Sequence, residues 1–126
     1  MKKLKVYIAS PYTNGWHADN VKRQLDAMKI LMDHGFVPFA PLLTHFCEIH
    51  HGSTEQDWFA WELEWLKLCD VLVRIRPDDK DGNEIPSPGS DVEVETARQN
   101  AITVYNLKNL DELEEWAQKY KEDGSN

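Results

Sequence analysis

"LKVYIASPYTNGW", Leu4 to Trp16, decides how the fold is read. Its apolar, β-branched and aromatic run ends at Ser10, Pro11 breaks it, and a polar turn follows, which is the pattern of a buried strand. Beyond the turn, Ala18, Val21, Leu25, Met28, Leu31 and Met32 recur at three- and four-residue spacing, and Gly35 stands where a helix C-terminal glycine belongs. A strand followed by an amphipathic helix is the start of a βα unit, and the same alternation continues along the chain.

"FVPFA" (36–40) reads as a short second strand, and "DVLVRI" (70–75) and "ITVYNL" (102–107) as the third and fourth. The stretch "PLLTHFCEIHHGSTEQD" (41–57) has no sustained period and is long for a connection, as functional loops often are. A helix is expected from Thr54–Gln56 to about Cys69, another from Ser90, and a last one over "NLDELEEWAQKYKED" (109–123) with Leu110, Leu113, Trp116, Ala117 and Tyr120 inward. Residues 76–89 read as a polar loop. Alternating strands and helices predict a three-layer, doubly wound α/β fold, flavodoxin- or Rossmann-like, with its ligand site at the C-terminal ends of parallel strands. One domain over residues 1–122 accounts for the pattern, with a disordered tail over 123–126.

The chain has 126 residues, enough for one domain with a real core. Its formal charge of -8, from 22 acidic and 14 basic residues, opposes nucleic acid and anionic membrane as partners. Two cysteines, Cys47 and Cys69, are too few for a disulfide framework, and the apolar run at the N-terminus is far shorter than a signal or membrane segment. A reducing cytoplasm is the expected compartment. In "HFCEIHH", His45, Cys47, His50 and His51 are metal-ligand types, but their spacing fits no closed zinc site, so neither metal nor cofactor is expected. His45 is read as lining a pocket, and His50 and His51 as surface residues.

Asp91, Glu93 and Glu95 crowd into "SPGSDVEVETA" (87–97). Such a run is ordinarily a solvated helix face. On a 3.6-residue period, however, Glu93 lines up with Ala97 and Ala101, small residues suited to packing on a sheet, while Glu95 falls with Arg98 on the far side. Asp91 reads as a first-turn cap. Glu93 therefore points inward, near a helix start where backbone N–H groups favour anions. On the preceding helix, Glu62 shares an arc with Trp58, Phe59, Trp61, Trp65, Leu66 and Cys69, opposite Asp57, Glu64 and Lys67. Either Glu62 reaches water at the rim, or it is a buried carboxylate with a raised pKa and a function.

The motifs "KVYIASPY", "CDVLVRI", "SPGSDVEVETA" and "ITVYNL", in this order and spacing, resemble the nucleoside 2-deoxyribosyltransferase-like proteins, which include the 2′-deoxynucleoside 5′-phosphate N-hydrolases; the chain looks closest to a phage and bacterial branch of them. The resemblance covers most of the chain. It implies that Tyr7 opens onto the pocket, that Glu93, four residues after Gly89 and four before Ala97, is the nucleophile, and that Glu62, eight residues before Asp70, is the second acid. The family usually has Asp at that last position, so Asp57 is a possible substitute. Ser87, six residues before the nucleophile, matches the phosphate-binding serine of the hydrolases where the transferases have Asp. The arginine and glycines that follow the first strand in the hydrolases are replaced here by "PYTNG". Ser10, His45, Ser87, Gly89, Ser90 and Asp57 make up the expected substrate-binding set.

Cleavage of an N-glycosidic bond needs a carboxylate beneath C1′ and a proton donor at the leaving base. The expected function is hydrolysis of a nucleoside 5′-monophosphate or nucleoside through a glycosyl-enzyme on Glu93. The alternatives are base exchange by a transferase and a nucleotide-binding sensor without turnover. The expected partner is a small nucleoside or nucleotide, and the expected assembly a homo-oligomer.

Overall fold

A computed structural model describes residues 2–52 and 54–122, so the tail over 123–126 lies outside the described residues. Strands β1 (Lys5–Ala9), β2 (Val37–Phe39), β3 (Val71–Ile75) and β4 (Thr103–Leu107) form one parallel sheet in the order β2-β1-β3-β4. Val6 pairs with Val71 and Val71 with Thr103, which puts β1 and β3 side by side at the centre. Among the described residues five helices surround the sheet: α1 (His17–Asp33), α2 (Thr44–His50), α3 (Glu55–Leu66), α4 (Pro88–Gln99) and α5 (Leu110–Glu122).

Alternation along the strands sorts the core into two halves. Val6, Ile8, Val71, Val73 and Ile75 pack on Ala27 and Leu31 of α1 and Leu113 and Ala117 of α5. Tyr7, Ala9 and Leu72 face the other way, against Leu66 of α3 and Val94 and Ala97 of α4. Each fully buried aliphatic side chain contributes about 1.5–3 kcal/mol, so helices on both faces hold the sheet. The fold is the expected three-layer, doubly wound one. From β1 the chain crosses to β2 on one side, while β3 and β4 lie on the other. The C-terminal ends of β1 and β3 thus border the crevice at the point where strand order reverses.

Several local expectations change. Residues 41–50 are not an irregular loop: Pro41–Leu43 form a 3-10 turn that runs into α2. No residue of α2 is buried, so it has no core face to print a period on the sequence. In α1 the inward face consists of Asn20, Val21, Gln24, Ala27 and Leu31, while Ala18 is exposed and Met32 is half-exposed. Two of these inward positions are polar, and hydrogen bonds make their burial tolerable. Asn20 donates to the carbonyls of Tyr12 and Asn14, and Gln24 bonds Ser10 and Leu42.

Of the apolar residues that share an arc with Glu62 in α3, Leu66 alone is fully buried; Trp61 and Trp65 stay 46% and 45% exposed. They lie against Phe39 on the short edge strand, with ring centroids 5.7 and 5.8 Å away, and not beneath the sheet. Helix α3 stops at Leu66, short of Cys69, and α4 starts two residues early, with Pro88 in its first turn. Gly35 has φ +87°, the left-handed conformation expected of it.

Candidate functional site

The N-terminus of α4 meets the end of β1 at a cavity of about 600 Å³, which α2 and α3 close from the opposite side. Glu93 faces it from the second turn of α4 and is only 5% exposed. The hydroxyl of Tyr7 donates to Glu93 Oε2 from below. Tyr7 itself is fully buried and is not on the cavity wall, so it reaches the cavity through Glu93, where the resemblance implied direct opening. Burial pushes the Tyr7 phenol well above its ordinary range and Glu93 adds to this, so Tyr7 is a fixed donor.

Burial also pushes Glu93 up, to about 8, and the nearby charge of Glu62 adds to the rise; the Tyr7 hydrogen bond and Arg74 pull the other way. Glu62, on α3, is 8% exposed and lines the same cavity. Burial raises it to about 7, against a lowering hydrogen bond from Thr44, whose hydroxyl donates to Glu62 Oε1 at 3.3 Å. Two carboxyls with midpoints near neutrality, each raising the cost of ionising the other, form a site in which one can be charged while the other holds a proton.

Ser10, His45, Ser87, Gly89 and Ser90 also line the cavity. Ser87 is the N-cap of α4: its hydroxyl donates to Ser90 Oγ at 2.7 Å and accepts from Ser90 N–H at 3.3 Å. Asp91 is therefore not the cap; its carboxylate pairs with Arg74 Nη2 at 2.7 Å. Asp57 is exposed and stays away from the cavity, because it forms a capping box with Thr54 at the start of α3. This leaves Glu62 as the acid that α3 brings to the site. His45 Nδ1 shares a 2.8 Å hydrogen bond with the Tyr12 hydroxyl, and the Tyr12 ring stacks on His17, centroids 4.8 Å apart. His50 and His51 are exposed, as is Cys47; no group of three or more metal-ligating side chains occurs among the described residues.

Residues 4–107 match the family model described as a domain of unknown function, DUF7768. The chain belongs to that family. No curated protein matches the sequence. Among solved structures, this DUF7768 chain is similar to the 2-deoxyribosyltransferase of the psychrotolerant bacterium Bacillus psychrosaccharolyticus, at 27% identity and a TM-score of 0.61, over 81% of this chain and 70% of that one. It is also similar to a 2-deoxyribosyltransferase from Leishmania mexicana, at 18% identity and a TM-score of 0.62, over 85% of this chain. The second likeness shows the fold alone, and the DUF7768 chain spans 65% of the Leishmania protein's length.

Four residues at the site were not singled out in the sequence. Gln24 looks like a polar interruption of an apolar face, yet its Nε2 donates to Ser10 Oγ and its Oε1 accepts from Leu42 N–H, both at 2.8 Å. The backbone donor fixes which way the amide points, so Ser10 accepts from Gln24 and its own hydroxyl proton is directed elsewhere, with the cavity beside it. Arg74 is the charged residue inside "VLVRI", and that misfit was its signal. Tyr12 and Thr44 gave no signal in the sequence.

Proposed function

We propose that the chain cleaves the N-glycosidic bond of a 2′-deoxynucleoside and passes the sugar to a second base. The observation that carries this reading is the pair of buried carboxyls at the cavity, Glu93 held by the Tyr7 hydroxyl and Glu62 beside it. The 27% identity with a 2-deoxyribosyltransferase supports the sugar and the transfer.

In the first step the Glu93 carboxylate attacks C1′, the bond from C1′ to the base nitrogen breaks with its electron pair going to the base, and Glu62 supplies the proton. In the second step a nitrogen of the incoming base attacks C1′, Glu62 takes back a proton, and Glu93 leaves as a carboxylate. Tyr7 stabilises the charged form of Glu93, which the attack requires. Ser10 and His45 offer polar contacts to the sugar and the base.

The lining favours a nucleoside over a 5′-monophosphate. It contains Glu48, Glu62 and Glu93 and, among the described residues, no lysine or arginine. The Ser87 hydroxyl is committed to Ser90, Pro88 has no N–H, and the Asp91 N–H bonds the Ser87 carbonyl at 3.0 Å. The Ser90 N–H is taken by the Ser87 hydroxyl as well, so few backbone donors of that turn are left for a ligand. A doubly charged phosphate would meet Glu48 and the ionised member of the Glu62–Glu93 pair with no lysine or arginine among the described lining residues to offset them.

The half-exposed Trp61 and Trp65, with exposed Leu68, support assembly into a homo-oligomer, which sedimentation tests: a monomer of about 15 kDa at working concentration contradicts it. For the activity, the protein is incubated with 2′-deoxynucleosides and their 5′-monophosphates, with and without a second free base. A new nucleoside formed only when the second base is present supports transfer. Base release of equal rate without any acceptor makes the protein a hydrolase, and faster release from the monophosphates contradicts the nucleoside assignment.

A further inference from the structure

We propose that Arg74 is a positioning residue for Glu93: from the central strand it grips the first turn of α4 through Ser87 and Asp91 and sets a buried positive charge behind the nucleophile. The inference rests on the role given above to Glu93. Arg74 lies on β3, on the same face as Leu72, and therefore beneath α4. Its side chain is nine-tenths buried. Nη2 pairs with Asp91 Oδ1 at 2.7 Å and approaches the Ser87 carbonyl oxygen at 3.5 Å. One planar guanidinium thus touches both the N-cap residue and the residue two places before Glu93, and fixes the direction in which α4 leaves the loop.

The charge matters as much as the grip. The groups that face Glu93 are Tyr7 from β1, Glu62 from α3 and Arg74 from β3, with Asp91 on its own helix. Arg74 is the one cation among them and it favours the charged carboxylate, against burial and Glu62. Asp91 does not cancel it, because the Asp91 side chain is 66% exposed and water screens its charge, whereas Arg74 acts through protein. A strand arginine that only closed the core would have no reason to tie itself to a largely exposed carboxylate at the mouth of a helix, where the nucleophile begins.

The test combines turnover with a direct reading of Glu93. Protein labelled with ¹³C at the glutamate carboxyls is titrated by NMR, the Glu93 signal being identified from its loss in Glu93→Gln. In Arg74→Gln the Glu93 midpoint should rise by about one pH unit, and kcat should fall at least tenfold with KM changed by less than a factor of two. Arg74→Lys, which keeps the charge but not the fork, should return the midpoint to near its original value and recover only part of kcat. A buried arginine can be needed for folding, so Asp91→Asn, at a largely exposed position, is the second arm: it cuts the tie and keeps the cation, and kcat should fall severalfold with the midpoint level or lower. An unmoved midpoint in Arg74→Gln, or unchanged kcat in Asp91→Asn, overturns the proposal. If the unaltered protein releases no base at all, the activity assigned above fails, while the NMR arm still reports whether Arg74 governs Glu93.

Discussion

The two faces of the sheet are built for different ends. Apart from the hydrogen-bonded Asn20 and Gln24, the face under α1 and α5 is closed with hydrocarbon: Val6, Ile8, Val73, Leu31 and Leu113 interlock, and Phe36, Trp116 and Tyr120 seal the edge with ring centroids 5.0 to 6.0 Å apart. The face under α3 and α4 buries Tyr7, Glu62, Arg74 and Glu93 among fewer aliphatic side chains. Desolvating these groups costs free energy that their mutual hydrogen bonds and charges only partly recover. The contrast teaches that the first face carries stability and the second tolerates instability for the sake of reactive groups, as functional sites commonly do.

The largest effect that follows is on turnover. Glu93→Ala should lower base release at least a thousandfold while Glu95→Ala, at an exposed position two residues on, changes it less than twofold. Equal losses in the two variants would break the contrast at its functional end. On the other face, Leu113→Ala should destabilise the protein by about 2–5 kcal/mol in denaturant titration, with kcat of the folded fraction unchanged. A large kcat effect from Leu113→Ala would show that the faces are not separate.

A smaller effect comes from pH, and its sign distinguishes the two faces. The folded-state pKa values of Glu62 and Glu93, about 7 and about 8, lie above the ordinary 4.5. A group raised in this way contributes stability below its unfolded pKa, and the contribution is lost as pH rises through the folded value. Glu93→Gln should therefore melt close to the original protein near pH 4 and above it at pH 9, with the gap opening between pH 5 and 8. Leu113→Ala should show a constant deficit over the same range. Activity has a different profile: attack requires ionised Glu93 and a proton on Glu62, so kcat/KM should trace a bell that is highest between about pH 7 and 8 and falls on either side. The smallest effect is expected from Ser87→Ala, which removes the α4 cap and should cost about 1 kcal/mol; Ser87→Asp, which can cap, should cost less.

The strand pattern was legible because β1 and β3 are buried on both faces and print continuous apolar runs. Glu93 was legible for a related reason, since burial against the sheet puts it in phase with Ala97. Where burial is achieved by hydrogen bonding, sequence period says little, and so Gln24 and Asn20 read as breaks in α1 although they are core residues. Trp61 and Trp65 misled in the opposite sense: large apolar side chains predict burial, but the three-residue β2 offers them a rim and no floor. Helix α2 has no core face at all. Asp91 and Arg74 illustrate the last limit, since a pairing between residues 17 apart on a strand and a helix leaves no local trace.

The covalent bond proposed between Glu93 and the sugar can be trapped. Acid quenching during turnover of a 2′-deoxynucleoside, followed by mass analysis of the intact protein and its peptides, tests it most directly. A deoxyribosyl mass increment should be confined to the peptide that contains Glu93, absent from Glu93→Gln and diminished when a second base is present to collect the sugar. Base release at an undiminished rate from Glu93→Gln, or an increment carried by any other residue, would contradict a bond at Glu93.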